Sequence, residues 1–122
     1  MRYSANEKIK VGPLQWGIIL LTVITALVHF NLAYSAIAHL RVSFLSVLFL
    51  LNGLGYLALL AALYLPIGFL AGYRTSVRWG LMGFAALTVI LWVIMGGRFS
   101  LAYIDKAVEI VLIVLLWLDS RS

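Results

Sequence analysis

The chain has 122 residues, 65% of them hydrophobic, and nine basic residues oppose four acidic ones. A soluble fold of this length has too little interior for so much apolar surface, so the composition predicts that lipid surrounds the chain. Because the basic residues flank apolar runs, they indicate orientation in a membrane and contact with anionic headgroups, and nucleic acid is not an expected partner.

Four apolar segments are long enough to cross about 30 Å of hydrocarbon as helices, which takes about 20 residues. A polar N-terminal tail, residues 1–13, precedes the first segment, and a polar C-terminal tail, residues 119–122, follows the last. The first segment is too long for the apolar part of a signal peptide, so we interpret it as an uncleaved span. The predicted spans cover residues 14–34, 43–65, 77–95 and 100–118.

Proline and serine mark several ends of these segments. Pro13 suits the first turn of a helix, Pro66 stops the second run, and Ser100 is an N-cap for the fourth. The runs are apolar on every face and do not alternate as barrel strands do, so the predicted fold class is all-α. Short connections favour an integral membrane four-helix bundle with up-down topology. Residues 32–42 fit either a helical extension or an interfacial loop.

The basic residues also predict the orientation. With the N-terminus inside, only Arg41 and Arg98 would lie outside, and Lys106 would lie just within the fourth span. This asymmetry predicts a multi-pass protein of the cell membrane with both termini cytoplasmic, N-in and C-in. The basic residues assigned to the inner side are Arg2, Lys8, Lys10, Arg74, Arg78 and Arg121. An aromatic belt at the inner interface would contain Trp16, Trp79 and Trp117.

Glycines occur where the helices could meet. Helices in lipid need small residues for tight packing, because the hydrophobic effect does not drive them together there. A helix face rich in glycine could also join one copy of the chain to another. The predicted packing positions are Gly53 and Gly55 in the second span and Gly80 and Gly83 in the third.

Polar side chains within the spans raise the free energy of insertion, so each needs a physical reason. Asp105 and Glu109 share one face of the fourth helix, and Lys106 can pair with Glu109. By depth, these and the other polar residues fall in the outer half of the bundle. The predicted polar cluster comprises His29, Asn52, Tyr56, Trp92, Asp105, Lys106 and Glu109.

The predicted polar cluster has two interpretations. In the structural one, its members are hydrogen-bond partners between helices, and Lys106 extends toward the surface. In the functional one, one imidazole and two carboxylates relay protons or coordinate a cation. No Glu-x-x-His spacing supports a metal site, so no metal is predicted.

Four sequence motifs occur in a characteristic order. They are Ala-Leu-Val-His at 26–29, Phe-Leu-Leu-Asn-Gly-Leu-Gly-Tyr at 49–56, Trp92, and Ile-Asp-Lys-Ala-Val-Glu at 104–109. This order resembles a group of small four-helix prokaryotic membrane proteins, over about residues 14–118. Where an amide is expected in that group, this chain has Glu109. The group has no established activity, so the resemblance implies a fold and no function.

Catalytic signatures are missing from the sequence. Gly53 and Gly55 follow no strand, no serine sits in a nucleophile elbow, and the absence of cysteine excludes thiol chemistry. We therefore expect a non-enzymatic membrane protein without a cofactor, either a structural or accessory subunit that self-associates or joins a larger membrane complex.

Two alternatives stay open. One is an oligomeric transporter or channel element that uses the polar cluster. The other is a haem- or quinone-binding redox subunit with His29 as a ligand and with Trp92 and Tyr56 as walls. His39 lies about 15 Å beyond His29 along one helix, so bis-histidine haem would need a second chain.

Overall fold

A computed structural model of the protein describes residues 11–40, 44–65, 72–96 and 98–121. Within these residues the chain forms four helices, so the predicted all-α class is confirmed. They are α1 (Pro13–Leu40), α2 (Phe44–Tyr64), α3 (Arg74–Met95) and α4 (Ser100–Ser120). Several residues discussed above lie outside the described residues: Arg2, Lys8, Lys10, Arg41 and Pro66.

The first helix is longer than the predicted span 14–34, because it continues to Leu40. Residues 35–40 contain no glycine or proline, and alanine and leucine favour the helical backbone. The segment 32–42 is therefore helical as far as Leu40, and the backbone of His39 belongs to α1. At 1.5 Å per residue, α1 is about 42 Å long, which exceeds the roughly 30 Å of a hydrocarbon core.

The third and fourth helices also extend beyond the predicted spans 77–95 and 100–118. The N-cap of α4 is Phe99, so the predicted N-cap at Ser100 is wrong and this serine is the first residue of the helix. The Arg74 guanidinium is buried, and its Nε donates a hydrogen bond of 3.2 Å to the Leu63 carbonyl near the end of α2. This bond satisfies a carbonyl that the last turn of a helix leaves without a partner. Asp119, expected in the C-terminal tail, is buried in the last turn of α4.

The four helices pack side by side in a closed ring. α1 contacts α2 and α4, and α3 likewise contacts α2 and α4. Apolar side chains fill the half of the bundle that contains the start of α1 and the end of α4. The largest of them are fully buried: Ile18, Leu63, Leu81, Leu112 and Leu116.

Two of the predicted packing glycines lie inside this ring. A Cβ atom on Gly53 would lie 2.8 Å from Phe30 Cε1 and 3.1 Å from the Ala26 carbonyl oxygen, so Gly53 allows α2 to approach α1 closely. A Cβ atom on Gly55 would lie 2.5 Å from Phe84 Cζ, so Gly55 does the same between α2 and α3.

The other two packing glycines, on α3, face away from the bundle. A Cβ atom on Gly80 would only reach Leu59 Cδ2 at 4.0 Å, and a Cβ on Gly83 would have no neighbour within 4 Å among the described residues. Both glycines are exposed. Gly80 and Gly83 are therefore not needed for the packing of these four helices.

Three of the four helices in the described part of the chain are long and apolar enough to cross a membrane. Their qualifying segments are Pro13–Ala38, Ser46–Tyr64 and Arg74–Met95. The fourth helix is as long as α2, but the charges of Asp105, Lys106 and Glu109, all among its first ten residues, exclude it on composition alone. The large exposed side chains on all four helices are predominantly aliphatic or aromatic.

Candidate functional site

The charged residues of α4 point into the bundle. Asp105, Lys106 and Glu109 are 1%, 7% and 0% exposed. The Lys106 ammonium lies 3.1 Å from Asp105 Oδ2 and donates to Glu109 Oε1 at 2.5 Å. Because the two carboxylates are one helical turn apart, a single ammonium can bridge them. Such a bridge lowers the cost of burying all three charges.

Two residues of α1, one helical turn apart, contact Asp105. The Thr25 hydroxyl donates to Asp105 Oδ1 at 2.6 Å. The Nδ1 atom of His29 lies 2.8 Å from the Thr25 carbonyl oxygen, which can only accept, so Nδ1 carries a proton. The other ring nitrogen, Nε2, lies 3.8 Å from Asp105 Oδ2, which is longer than a hydrogen bond.

Tyr56 connects α2 to the same carboxylates. Its hydroxyl donates to Glu109 Oε2, so both oxygens of Glu109 are hydrogen-bonded. The Tyr56 ring meets Phe84 of α3 edge-on, with the centroids 4.9 Å apart, and lies 5.8 Å from the His29 ring. We call the resulting group the ionic cluster; it comprises Thr25, His29, Tyr56, Asp105, Lys106 and Glu109.

Asn52 and Trp92, predicted with these residues, line a cavity beside the ionic cluster. The Thr88 hydroxyl donates to Asn52 Oδ1 at 3.2 Å and so joins α3 to α2. Trp92 packs edge-on against Tyr103, with the centroids 5.3 Å apart, and the Arg98 guanidinium lies 4.2 Å above its ring. The structure thus divides the predicted polar cluster into an ionic part and a cavity wall.

The cavity has a volume of about 250 Å³. Met95 and Phe99 form part of its rim, where they are 61% and 45% exposed. This volume is slightly below the roughly 300–1,000 Å³ typical of drug-sized ligand pockets, so the cavity suits a small ligand. Its polar lining comes from His29, Asn52, Thr88, Asp105 and Lys106. Its apolar lining includes Leu32, Leu48, Phe49, Leu91, Trp92 and Ala102.

One carboxylate oxygen of the ionic cluster differs from the other three. Asp105 Oδ2 is buried and accepts no hydrogen bond from the described residues, although Lys106 lies within ion-pair distance. The other three oxygens accept hydrogen bonds from Thr25, Tyr56 and Lys106. The cluster therefore has one open acceptor, and it belongs to a residue that lines the cavity.

The ionic cluster also contains ligand types for a divalent metal. His29, Asp105 and Glu109 each offer an atom within 4.8 Å of the others, and imidazole with carboxylates suits first-row metals. However, the Lys106 ammonium already lies beside both carboxylates. A metal bound to all three ligands would have to displace this ammonium.

A second polar group lies at the opposite end of the bundle, and we call it the end clamp. Asp119 of α4 accepts a bond of 2.6 Å from the Gln15 side chain of α1 and pairs with Arg78 of α3 at 2.8 Å. Sequence reasoning assigned Arg78 to orientation and Asp119 to a tail. No sequence signal links the two residues, because their pairing depends on how α3 packs against α4.

Thr25 was also not predicted as a member of the site. The available signal was its position four residues before His29, which places both on one face of α1.

Comparisons of the chain with protein-family models, curated proteins and solved structures found no match. The chemistry of the site is therefore inferred from its residues and their geometry alone.

Replacing Thr25 with valine tests the hydrogen bond to Asp105. Thr25→Val keeps the side-chain shape but leaves a buried carboxylate oxygen without its donor, so the free energy of unfolding should fall by about 1–3 kcal/mol. Thr22→Val is the matched control, because Thr22 is equally buried on α1 and its hydroxyl donates to the Ile18 carbonyl of its own helix. Unfolding in detergent would be measured for both variants. Equal losses of stability would contradict a specific role for Thr25.

Proposed function

We propose that the chain is a non-enzymatic integral membrane protein whose four helices all cross the cell membrane. The observation that carries this proposal is the inverted distribution of polarity. Charged side chains of α4 are buried inside the bundle, whereas large apolar side chains are exposed around it. A lipid environment stabilises such a surface, and helices satisfy their own backbone hydrogen bonds there.

The same observation explains how α4 could cross the membrane despite its composition. Asp105, Lys106 and Glu109 face the other helices, and the Lys106 ammonium offsets part of the charge of the two carboxylates, so these side chains need not contact lipid. The exposed face of α4 is apolar and includes Ile110 and Val114. Paired charges that face protein cost much less in a membrane than the same charges in contact with lipid.

Side-chain contacts support up-down topology. Gln15, at the start of α1, bonds to Asp119, at the end of α4. Leu63, at the end of α2, bonds to Arg74, at the start of α3. Arg78 near the start of α3 reaches the same Asp119. Helices that meet start to end run antiparallel, as short connections favour.

The distribution of charge supports the N-in, C-in orientation. Arg98 lies at the end of the bundle opposite to the end clamp. Basic residues concentrate on the cytoplasmic side of membrane proteins, so the end clamp marks the inner side. The described basic residues at this end are Arg74, Arg78 and Arg121. The exposed tryptophans of an inner aromatic belt are Trp16, Trp79 and Trp117.

Within the membrane, we assign the chain a structural or accessory role in which it binds a second copy or a larger membrane complex. The outward position of Gly80 and Gly83 supports this role, because a flat glycine face lets another helix approach the backbone closely. The hydrogen bonds and ion pairs of the ionic cluster then fix how α1, α2 and α4 pack against one another.

The channel alternative receives less support. A conducting path would have to continue from Asn52 toward the end clamp. The described residues there include Leu63, Leu81 and Leu112, which are fully buried and packed together. An apolar core of this kind separates the ionic cluster from the opposite end of the bundle.

The orientation can be tested with single cysteines, because the chain has none of its own. Ser76→Cys and Ser100→Cys are conservative changes at exposed positions near opposite ends of the bundle. A membrane-impermeant maleimide should label position 100 in intact cells and position 76 only after permeabilisation. The reverse pattern would exclude the N-in orientation. Labelling of both positions in intact cells would contradict the four-span topology.

Assembly can be tested separately from folding by Gly83→Leu. A Cβ atom at position 83 would have no described neighbour within 4 Å, so stability should stay unchanged while native mass or cross-linking shows the loss of an oligomer or complex. Ala107→Leu, on the exposed face of α4, is the matched control and should leave assembly intact. By contrast, Gly53→Leu should destabilise the bundle itself, because its first atom would contact Phe30. An unchanged mass of Gly83→Leu would contradict association through this face.

A further inference from the structure

We propose that the cavity beside the ionic cluster binds a small hydrophobic ammonium ion. The charged nitrogen would donate hydrogen bonds to Asp105 and His29, and the apolar part of the ligand would lie against Phe49, Leu91 and Trp92. This function goes beyond the structural role of the bundle and does not depend on its assembly. Three observations carry the proposal: the charge of the cluster, its open acceptors and the composition of the cavity wall.

The charge of the ionic cluster favours a cation. Asp105 and Glu109 supply two carboxylates, and Lys106 supplies one ammonium, so the ionised groups leave one negative charge in excess. An unbalanced charge in an apolar interior is costly and has to be neutralised by a proton or by a bound cation. A ligand with one positive charge would complete the balance, whereas a carboxylate or phosphate would increase the excess.

The open acceptors favour a cation with N–H groups. Asp105 Oδ2 forms an ion pair with Lys106 Nζ at 3.1 Å but accepts no hydrogen bond from the described residues. Because His29 Nδ1 carries a proton, Nε2 is a second acceptor when the imidazole is neutral, and it lies 3.8 Å from Asp105 Oδ2. Two acceptors that face each other at this distance need a donor near both. A primary ammonium has three N–H groups and can bond to both acceptors.

The cavity wall favours an apolar body of limited size. A volume of about 250 Å³ lies slightly below the roughly 300–1,000 Å³ of drug-sized ligand pockets, so it limits the size of the ligand. Aromatic rings of Phe49, Trp92 and Phe99 line it, and such rings bind both alkyl groups and cations. The Arg98 guanidinium above Trp92 shows that this ring already accepts a cation on one face.

An alkylammonium group could come from two sources. It could be a free amphiphilic amine, or the primary ammonium of an ethanolamine phospholipid in the surrounding bilayer. Among the described residues, the exposed rim residues Met95 and Phe99 leave the cavity reachable at the end of the bundle opposite to the end clamp. Both sources present a primary ammonium to Asp105 and His29, but the phospholipid also carries a phosphate, so the experiment has to separate the sources.

Trp92 provides a direct reporter of occupancy. In the full chain carrying Trp16→Phe, Trp79→Phe and Trp117→Phe, only the cavity tryptophan fluoresces. In nanodiscs of phosphatidylcholine, whose headgroup lacks N–H donors, n-octylammonium should change this fluorescence saturably with one site per chain. Its affinity should exceed that of the neutral n-octanol by at least tenfold. Equal affinities for the two compounds, or no saturable change, would overturn the proposal.

The source is tested by adding phosphatidylethanolamine to the nanodiscs. If the lipid headgroup is the natural occupant, this lipid alone should change Trp92 fluorescence and should weaken the apparent affinity for n-octylammonium. If a free amine is the occupant, the apparent affinity should be the same in both lipids. Either result supports an ammonium site, and the two results assign its source.

Asp105→Asn removes the charge that defines the site and should weaken n-octylammonium binding at least tenfold. The matched control is Asp119→Asn, the same change at a buried carboxylate about 21 Å along α4, and it should leave binding unchanged. Equal weakening in both variants would overturn the proposal.

A second variant keeps the test decisive even where Asp105→Asn fails to fold. Ala102→Leu fills the cavity and keeps every charged residue, so it should abolish binding of n-octylammonium. Retained binding in this variant would overturn the proposal.

Titration with Zn²⁺ alone is the last experiment and tests for a metal site. Saturable Zn²⁺ binding that is lost in His29→Gln, without binding of n-octylammonium, would replace the ammonium site with a metal site.

Discussion

The rest of the structure depends on the bridge that Lys106 makes between Asp105 and Glu109. Three charges on one helix could not face an apolar medium separately, because each would have to be buried without compensation. By bridging both carboxylates, the ammonium lets α4 direct all three charges inward and keep an apolar outer face. The hydrogen bonds from Thr25 and Tyr56 then require α1 and α2 to lie at fixed positions beside α4.

The two ends of the bundle differ in how closely the helices pack. At one end, Asp119 joins α1, α3 and α4 in a small clamp, and a packed apolar core separates it from the ionic cluster. At the other end, the helices leave a cavity that reaches the cluster. This arrangement is typical of a site that is open from one side, and it is less suited to a path that crosses the bundle. Asp105, whose Oδ2 accepts no hydrogen bond from the described residues, lines this cavity.

Hydropathy predicted the four helices because each apolar run is about 20 residues long, and helical periodicity predicted that Asp105 and Glu109 share a face. The partners of these carboxylates on other helices followed less readily. The bond from Thr25 depends on the register of α1 against α4, and the Arg78 pair depends on that of α3 against α4. Glycine content likewise indicated close packing without saying that Gly53 faces inward and Gly83 outward. The sequence does not decide whether residues 35–40 continue α1 or form a loop, because no residue there stops a helix.

The central claim is that α4 crosses the membrane with its charges turned away from lipid, and spin labels on α4 test it most directly. Labels at Ile110 and Val114 would lie on the exposed apolar face, and a label at Arg121 would serve as the control beyond the helix. Collisions with oxygen, which partitions into lipid, would be compared with those of a polar nickel complex. A membrane-spanning α4 predicts that Ile110 and Val114 favour oxygen strongly and that Arg121 favours nickel. Comparable nickel collisions at all three positions would contradict a transmembrane α4.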